Sequence, residues 1–320
     1  MYVEQGYKGE IGLWKYLVIP LAFIALMVWN FVLSLNMEDS TEELMQQFID
    51  QFGTTIVFII ILMPLAVMLF AVFGWTLLVH RQSIRSLTTA RKKIDWKRIF
   101  FAFFLWGGVT IALTFVDVLM RPENYEWNFD MTKFLILLVV AVALIPLQTS
   151  FEEYLFRGYI MQGLGIATKS RAVPLVVTSV IFGLMHIANP EIGRLGYGLL
   201  AYYIGTGFFL GVITLMDEGL ELALGFHAAN NLFGALLVTA EWTAFQTDSL
   251  YIDTGEPELG AGIFFPLLIV YPLLTLLFAR KYKWSNWKDR LFGKVLSREE
   301  FIIAENAFLN SAQPPSEPTQ

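Results

Sequence analysis

Phe151-Glu152-Glu153-Tyr154-Leu155-Phe156-Arg157-Gly158 sets two adjacent carboxylates and an arginine directly after an apolar run, Phe134 to Leu147, that has the composition of a membrane helix. A charged side chain near the centre of a bilayer costs roughly 2.5 to 3.5 kcal/mol on insertion scales, so ionised groups at that depth mark a functional site by default. The number of such apolar runs decides the fold, and what the two carboxylates face decides the chemistry.

The 320 residues are 56% hydrophobic and 16% charged, with 28 phenylalanines, far more apolar than a soluble domain. Without cysteine there are no disulfides and no thiolate metal sites. A spanning helix needs about 20 mostly apolar residues. Runs near 11–36, 54–79, 99–120, 134–156, 173–189, 196–216, 222–240 and 262–279 meet or approach that length. The first lacks a small-residue cleavage pattern and reads as a retained helix. The fold class is therefore all-α, a polytopic membrane helix bundle of about eight transmembrane helices.

Orientation follows from the basic residues. With both termini cytoplasmic, the inner segments hold Lys8 and Lys15, seven residues between Arg81 and Arg98, then Arg157, Lys169 and Arg171, and seven between Arg280 and Arg298. Only Arg121, Lys133 and Arg194 fall outside, as the positive-inside rule requires. The chain divides into three N-terminal helices over 1–133, a four-helix core over 134–240, an outer loop and last helix over 241–280, and an inner amphipathic segment with a disordered tail over 281–320. Residues 281–304 are expected to form one surface helix, and 241–260 a solvated connection. The expected partner is the lipid bilayer, most simply the cell membrane, and no feature suggests nucleic-acid binding.

Two of the three histidines lie inside apolar runs and need partners. His186 follows Phe182 by four residues and His227 precedes Asn231 by four, so each pair shares a helix face, as do Glu153 and Arg157. His80, beside Arg81, reads as interfacial, and Asp117 as a satisfied buried acid near the outer interface. Glu152 and His186 lie sixteen and eighteen residues either side of Thr168, level on antiparallel neighbours about 25 Å from the turn. His227 lies only eight residues past Gly219. A common site thus requires the hairpin around Thr168 to project from the membrane, and predicts Glu152 within about a dozen ångströms of His227.

These groups suit hydrolysis. A buried carboxylate accepts a proton from water, a histidine orients that water, and a second histidine with an asparagine amide donates to an oxyanion. Adjacent glutamates point about 100° apart on a helix, so Glu152 is expected to act on water and Glu153 to pair with Arg157. A zinc site of His186, His227 and Glu152 is the competing chemistry. Asn230 is either a helix–helix hydrogen bond or a support to the site. A proton or ion pathway of a transporter also uses intramembrane carboxylates.

The three segments together resemble the CPBP family of intramembrane proteases, named for CAAX proteases and bacteriocin-processing enzymes and also called Abi. The family pattern is Glu-Glu-x-x-x-Arg, then Phe-x-x-x-His, then His-x-x-x-Asn or Asp, matched here by Glu152, Glu153 and Arg157, by Phe182 and His186, and by His227 and Asn231. The likeness covers roughly 134–240. It implies an eight-helix endopeptidase opening to the cytoplasm, in which Glu152 and His186 activate water and His227 and Asn231 bind the oxyanion. It also implies a prenylated protein or membrane-associated peptide as substrate, and leaves metal-dependent and glutamate-type mechanisms both open. HExxH and GxSxG are absent. A non-catalytic scaffold of the same fold would carry Asn or Gln at 152.

Overall fold

The computed structural model describes residues 1–37 and 39–311. Its helices in chain order are α1 (Leu13–Leu35), α2 (Thr41–Phe52), α3 (Thr54–Leu78), α4 (Ile84–Thr88), α5 (Trp96–Met120), α6 (Met131–Glu153), α7 (Met161–Thr168), α8 (Ala172–Leu184), α9 (Pro190–Leu195), α10 (Leu200–Asp217), α11 (Glu221–Leu237), α12 (Ala261–Phe265), α13 (Tyr271–Tyr282), α14 (Trp287–Phe292) and α15 (Arg298–Ser311). All eight apolar runs are largely helical. Among the described residues, six helices are long and apolar enough to cross a membrane: Trp14–Leu35, Thr54–Leu78, Trp96–Met120, Met131–Thr168, Tyr197–Asp217 and Ile263–Tyr282. The other two runs form α8 and α11, of 13 and 17 residues. The protein is a multi-pass helical membrane protein.

The element that positions the site is the 38-residue rod Met131–Thr168, in which α6 passes through a π-helical turn, Tyr154–Ile160, into α7. At 1.5 Å per residue it is about 57 Å long, nearly twice the roughly 30 Å hydrocarbon core. Its α7 end, with the α7–α8 hairpin, sits where the basic clusters gather. Protein covers it there. The 3₁₀ turn Val3–Lys8 is buried against α7 and α4, with the Tyr2 hydroxyl donating to the Leu87 carbonyl (2.7 Å) and fully buried Glu4 paired with Arg171 (2.7 Å). His80 belongs to the same packing. It is fully buried, with Nε2 2.8 Å from the Tyr159 hydroxyl and Nδ1 3.1 Å from the Glu10 carbonyl.

The short α11 is seated from both ends. At the basic end Arg91 bridges Asp217 (2.7 Å) and Glu221 (2.9 Å), Arg98 also pairs with Asp217, and the Trp284 indole donates to Asp217 (3.1 Å). This network fixes the α10–α11 turn, and so how deep His227 sits. At the opposite end β1 (Tyr125–Trp127), β2 (Val238–Thr239) and β3 (Tyr251–Asp253) form a sheet in the order β1-β3-β2, antiparallel between β1 and β3 and parallel between β2 and β3. The stretch read as a solvated connection therefore holds a strand and buried Thr247 and Ser249. Asp117, near this end, is satisfied by Arg121 (2.5 Å) and the Tyr125 hydroxyl, but is partly exposed rather than buried.

Two further segments take their form from local signals. The acidic stretch before Gly53 is helix α2, opened by a capping box of Ser40 with Glu43 and closed at Gly53, whose φ of +83° suits a residue without a Cβ. Residues 281–304 are not one helix. Lys283 and Asn286 are left-handed, and Gly293–Val295 runs extended against the α7–α8 turn, with Val295 N–H donating to the Lys169 carbonyl (3.1 Å). Helix α15 restarts on a reciprocal Ser297–Glu300 cap. The expected disordered tail lies, from residue 312, outside the described residues.

Close helix approach rests on small residues. A Cβ on Gly207 would strike the Ser179 backbone between α10 and α8, and one on Gly225 would strike the Ile99 carbonyl between α11 and α5. Since that obstacle is backbone, Gly225→Ala is expected to cost about 1 to 3 kcal/mol by overpacking. Gly234→Ala, with open space around the added methyl, serves as the matched control. Thermal unfolding in detergent should show a lowered midpoint for the first only.

Candidate active site

The site grows from the end of α6. Glu153 is completely buried, and its Oε1 accepts from Arg157 Nη1 (3.0 Å), one helical turn on, and from His227 Nδ1 (2.8 Å) on α11. Arg157, also completely buried, donates through Nη2 to the Gly207 carbonyl (3.2 Å), and its guanidinium carbon lies 4.1 Å from the Phe182 ring centroid. The expected pairing of Glu153 with Arg157 is present, with His227 as a third member. Because a carboxylate only accepts, His227 carries its proton on Nδ1, leaving Nε2 to face the interior. There it meets Glu152 Oε2 at 3.6 Å, too long for a direct hydrogen bond and well inside the separation a shared site demanded.

Glu152 keeps 14% of its side-chain surface exposed, while Glu153 keeps none. Adjacent positions on one helix thus meet different surroundings. Glu152 Oε1 accepts from the Gln148 amide (2.5 Å), one turn earlier on α6, and the Gln148 carbonyl accepts from Asn231 Nδ2 (3.2 Å). Asn231 Oδ1 accepts from Asn230 Nδ2 (3.1 Å), and Asn230 Oδ1 from the Trp106 indole (3.1 Å) on α5. Asn230 is therefore both a helix–helix hydrogen bond and a support to the site.

His186 is not within a helix body. α8 ends at Leu184, and the His186 ring takes up the Phe182 carbonyl that the helix end leaves over (Nδ1, 2.9 Å). A carbonyl only accepts, so Nδ1 is protonated and Nε2 holds the free lone pair. The ring is stacked on Tyr203 of α10 (centroids 4.0 Å, 14° between planes), whose hydroxyl donates to Glu191 (2.5 Å). Glu191 is held in turn by Asn189 (2.8 Å) and by the Ala244 N–H (3.1 Å) of the far-end loop. His186 makes no hydrogen bond to Glu152 or His227. Phe182 joins the histidines instead, with its centroid 5.2 Å from His186 and 5.9 Å from His227. That is a physical reason for phenylalanine four residues before the histidine.

Gln148, Trp106, Tyr203 and Glu191 escaped the sequence reading. Gln148 alone left a signal, an amide in an apolar run four residues before a glutamate. For a metal, the donors of Glu152, His186 and His227 do not converge. Among the described residues no three His, Cys, Asp or Glu side chains are grouped to hold an ion, and both His227 nitrogens face carboxylates.

The sequence pattern of the Type II CAAX prenyl endopeptidase Rce1-like family matches residues 131–233. The uncharacterized protein YyaK of Bacillus subtilis (strain 168) is 31% identical over 221 residues, 67% of this chain and 74% of that protein. The chain belongs to the Rce1-like family. A subunit N of NADH-quinone oxidoreductase from Jannaschia sp. (strain CCS1) is 25% identical over 226 residues, which span 67% of this chain and 44% of that protein. No solved structure matches. The Rce1-like region runs from α6 into α11 and contains both glutamates, Arg157, Phe182, both site histidines and both asparagines. Trp106 and the first three spanning helices lie outside it.

The ion set of this Rce1-like core sets a stability test. Arg157→Met leaves the buried Glu153 carboxylate with the His227 Nδ1–H as its remaining hydrogen-bond donor, at an expected cost of about 3 to 5 kcal/mol. Removing both charges, in Glu153→Gln with Arg157→Met, should cost less than Arg157→Met alone, because no uncompensated ion remains. Unfolding midpoints of the three proteins in one detergent decide it.

Proposed function

We propose that the chain is an intramembrane endopeptidase that hydrolyses a peptide bond in a membrane-anchored protein or peptide, with prenylated proteins the substrate class the family's description suggests. The observation that carries the reading is the facing pair of Glu152 Oε2 and His227 Nε2, 3.6 Å apart, backed by a buried ion pair on one side and an amide network on the other. Glu152 takes a proton from water as the water oxygen bonds to the scissile carbonyl carbon, and the C=O electron pair moves onto oxygen. His186 Nε2 accepts the second hydrogen of that water and sets its direction of attack.

The oxyanion takes hydrogen bonds from His227 Nε2–H and from the second amide hydrogen of Asn231, whose first is held by Gln148. Donation from Nε2 while Nδ1–H is held by Glu153 requires hydrogen on both ring nitrogens of His227, a form in which the set Glu152, Glu153, Arg157 and His227 is neutral overall. Collapse re-forms the C=O bond and breaks C–N, and the proton held by Glu152 passes to the leaving nitrogen. The basic end faces the cytoplasm in this reading, where the positive-inside rule places it. The scattered donors support water activated by glutamate rather than by zinc.

Purified protein should cleave a membrane-anchored peptide. Glu152→Gln and His186→Ala should each lower kcat by about 10²- to 10⁴-fold while leaving the unfolding midpoint near that of the parent. Full activity in both variants overturns the mechanism. Dialysis against a chelator should leave the rate unchanged, and a loss restored by zinc would assign the water to a metal instead.

A further inference from the structure

We infer that Trp106, Asn230 and Gln148 form a directional hydrogen-bond relay, closed through Asn231, that fixes which oxygen of Glu152 meets water. This inference rests on the hydrolase reading above. The relay crosses three helices: the Trp106 indole to Asn230 (3.1 Å), Asn230 to Asn231 (3.1 Å), Asn231 to Gln148 (3.2 Å) and Gln148 to Glu152 Oε1 (2.5 Å).

Its polarity follows from chemistry. An indole N–H can only donate and a carboxylate can only accept. Three primary amides strung between such ends have one arrangement without a clash. Turning any single amide over sets donor against donor on one side and acceptor against acceptor on the other, and turning all three sets an NH₂ against the indole N–H. The direction does not depend on telling amide nitrogen from oxygen by shape.

The donor end is also the immobile one. Trp106 is 4% exposed, with its ring between Phe226 (centroids 4.5 Å) and Tyr271 (5.7 Å), and Tyr271 is itself stacked on Phe209 (4.5 Å). A rigid indole thus orders Asn230, which orders Asn231, which orders Gln148. Two consequences reach the chemistry. Glu152 Oε1 is occupied, so Oε2, opposite His227, is the oxygen left for water. Asn231 has its carbonyl turned to Asn230 and its amide towards Gln148, so its remaining N–H is the one free to bind an oxyanion. Trp106, Asn230 and Gln148 are positioning residues, whereas Glu152 and Asn231 touch the reacting atoms.

The test uses full-length protein with ¹⁵N-labelled indoles in detergent micelles. The Trp106 N–H signal is assigned by its loss in Trp106→Phe, or by elimination through replacement of the other eight tryptophans if that variant does not fold. Gln148→Met, two amides away from the indole, should move the Trp106 signal. On a membrane-anchored peptide it should lower kcat about ten- to a hundredfold, the loss expected for one hydrogen bond to a charged group, with KM within about twofold. Trp106→Phe should lower kcat about threefold, again at constant KM. A Trp106 signal unmoved in Gln148→Met overturns the relay, and so does a rise in KM at constant kcat. If the parent cleaves nothing but the signal moves, the relay stands and the hydrolase reading falls.

Discussion

A carboxylate with no exposed surface, held among apolar helices, survives as an ion only where countercharge and hydrogen-bond donors surround it. Glu153 is that group, and much of the core is arranged to satisfy it. Arg157 reaches back one turn from the π-helical segment, α11 brings His227 from the other side, and α10 supplies the Gly207 carbonyl that occupies the arginine's second nitrogen. Phe182 of α8 closes the assembly with its ring centroid 4.1 Å from the guanidinium carbon, where a desolvated cation over a ring is worth on the order of 2 kcal/mol. Four separate helical segments are thus tied to one carboxyl group. Glu152, a single residue away, is relieved of structural work by this neighbour, which lets it stay partly accessible.

The membrane sets a second condition. A helix of 38 residues is too long for a bilayer, and the excess needs cover where it emerges. The buried turn Val3–Lys8, the extended Gly293–Val295 strap and the Arg91–Asp217–Glu221 network supply it. Basic residues take part in each, so some of the charges that gather at this end also hold the hairpin and the α10–α11 turn in place. The depth of His227 is a consequence of that turn.

The helices and the motif residues were legible in the sequence because both are local. Apolar length marks a membrane helix, and i, i+4 spacing marks a shared face, so Glu153 with Arg157 and His227 with Asn231 emerged directly. Caps and breaks were missed where the signal was short, as at Ser40 with Glu43 and at Gly293. The supporting shell was illegible for a different reason. Trp106 lies more than a hundred residues from Asn230, and Glu191 on α9 meets Tyr203 on α10 only through the turn between them. Sequence shows that an indole or an amide exists, but its partner is fixed by which helices touch. His186 is an intermediate case, placed on the right run although the helix stops before it.

The stacking of His186 on Tyr203 has a consequence for access from the far side of the membrane. Tyr203 is held by Glu191, and Glu191 by the backbone of Ala244, in the loop that leads into the small sheet. One face of the His186 imidazole is therefore braced by a loop on the surface away from the basic end. An antibody fragment or cyclic peptide that prised this loop from Glu191 would loosen the imidazole without entering the substrate path, and inhibition by such a molecule would be non-competitive.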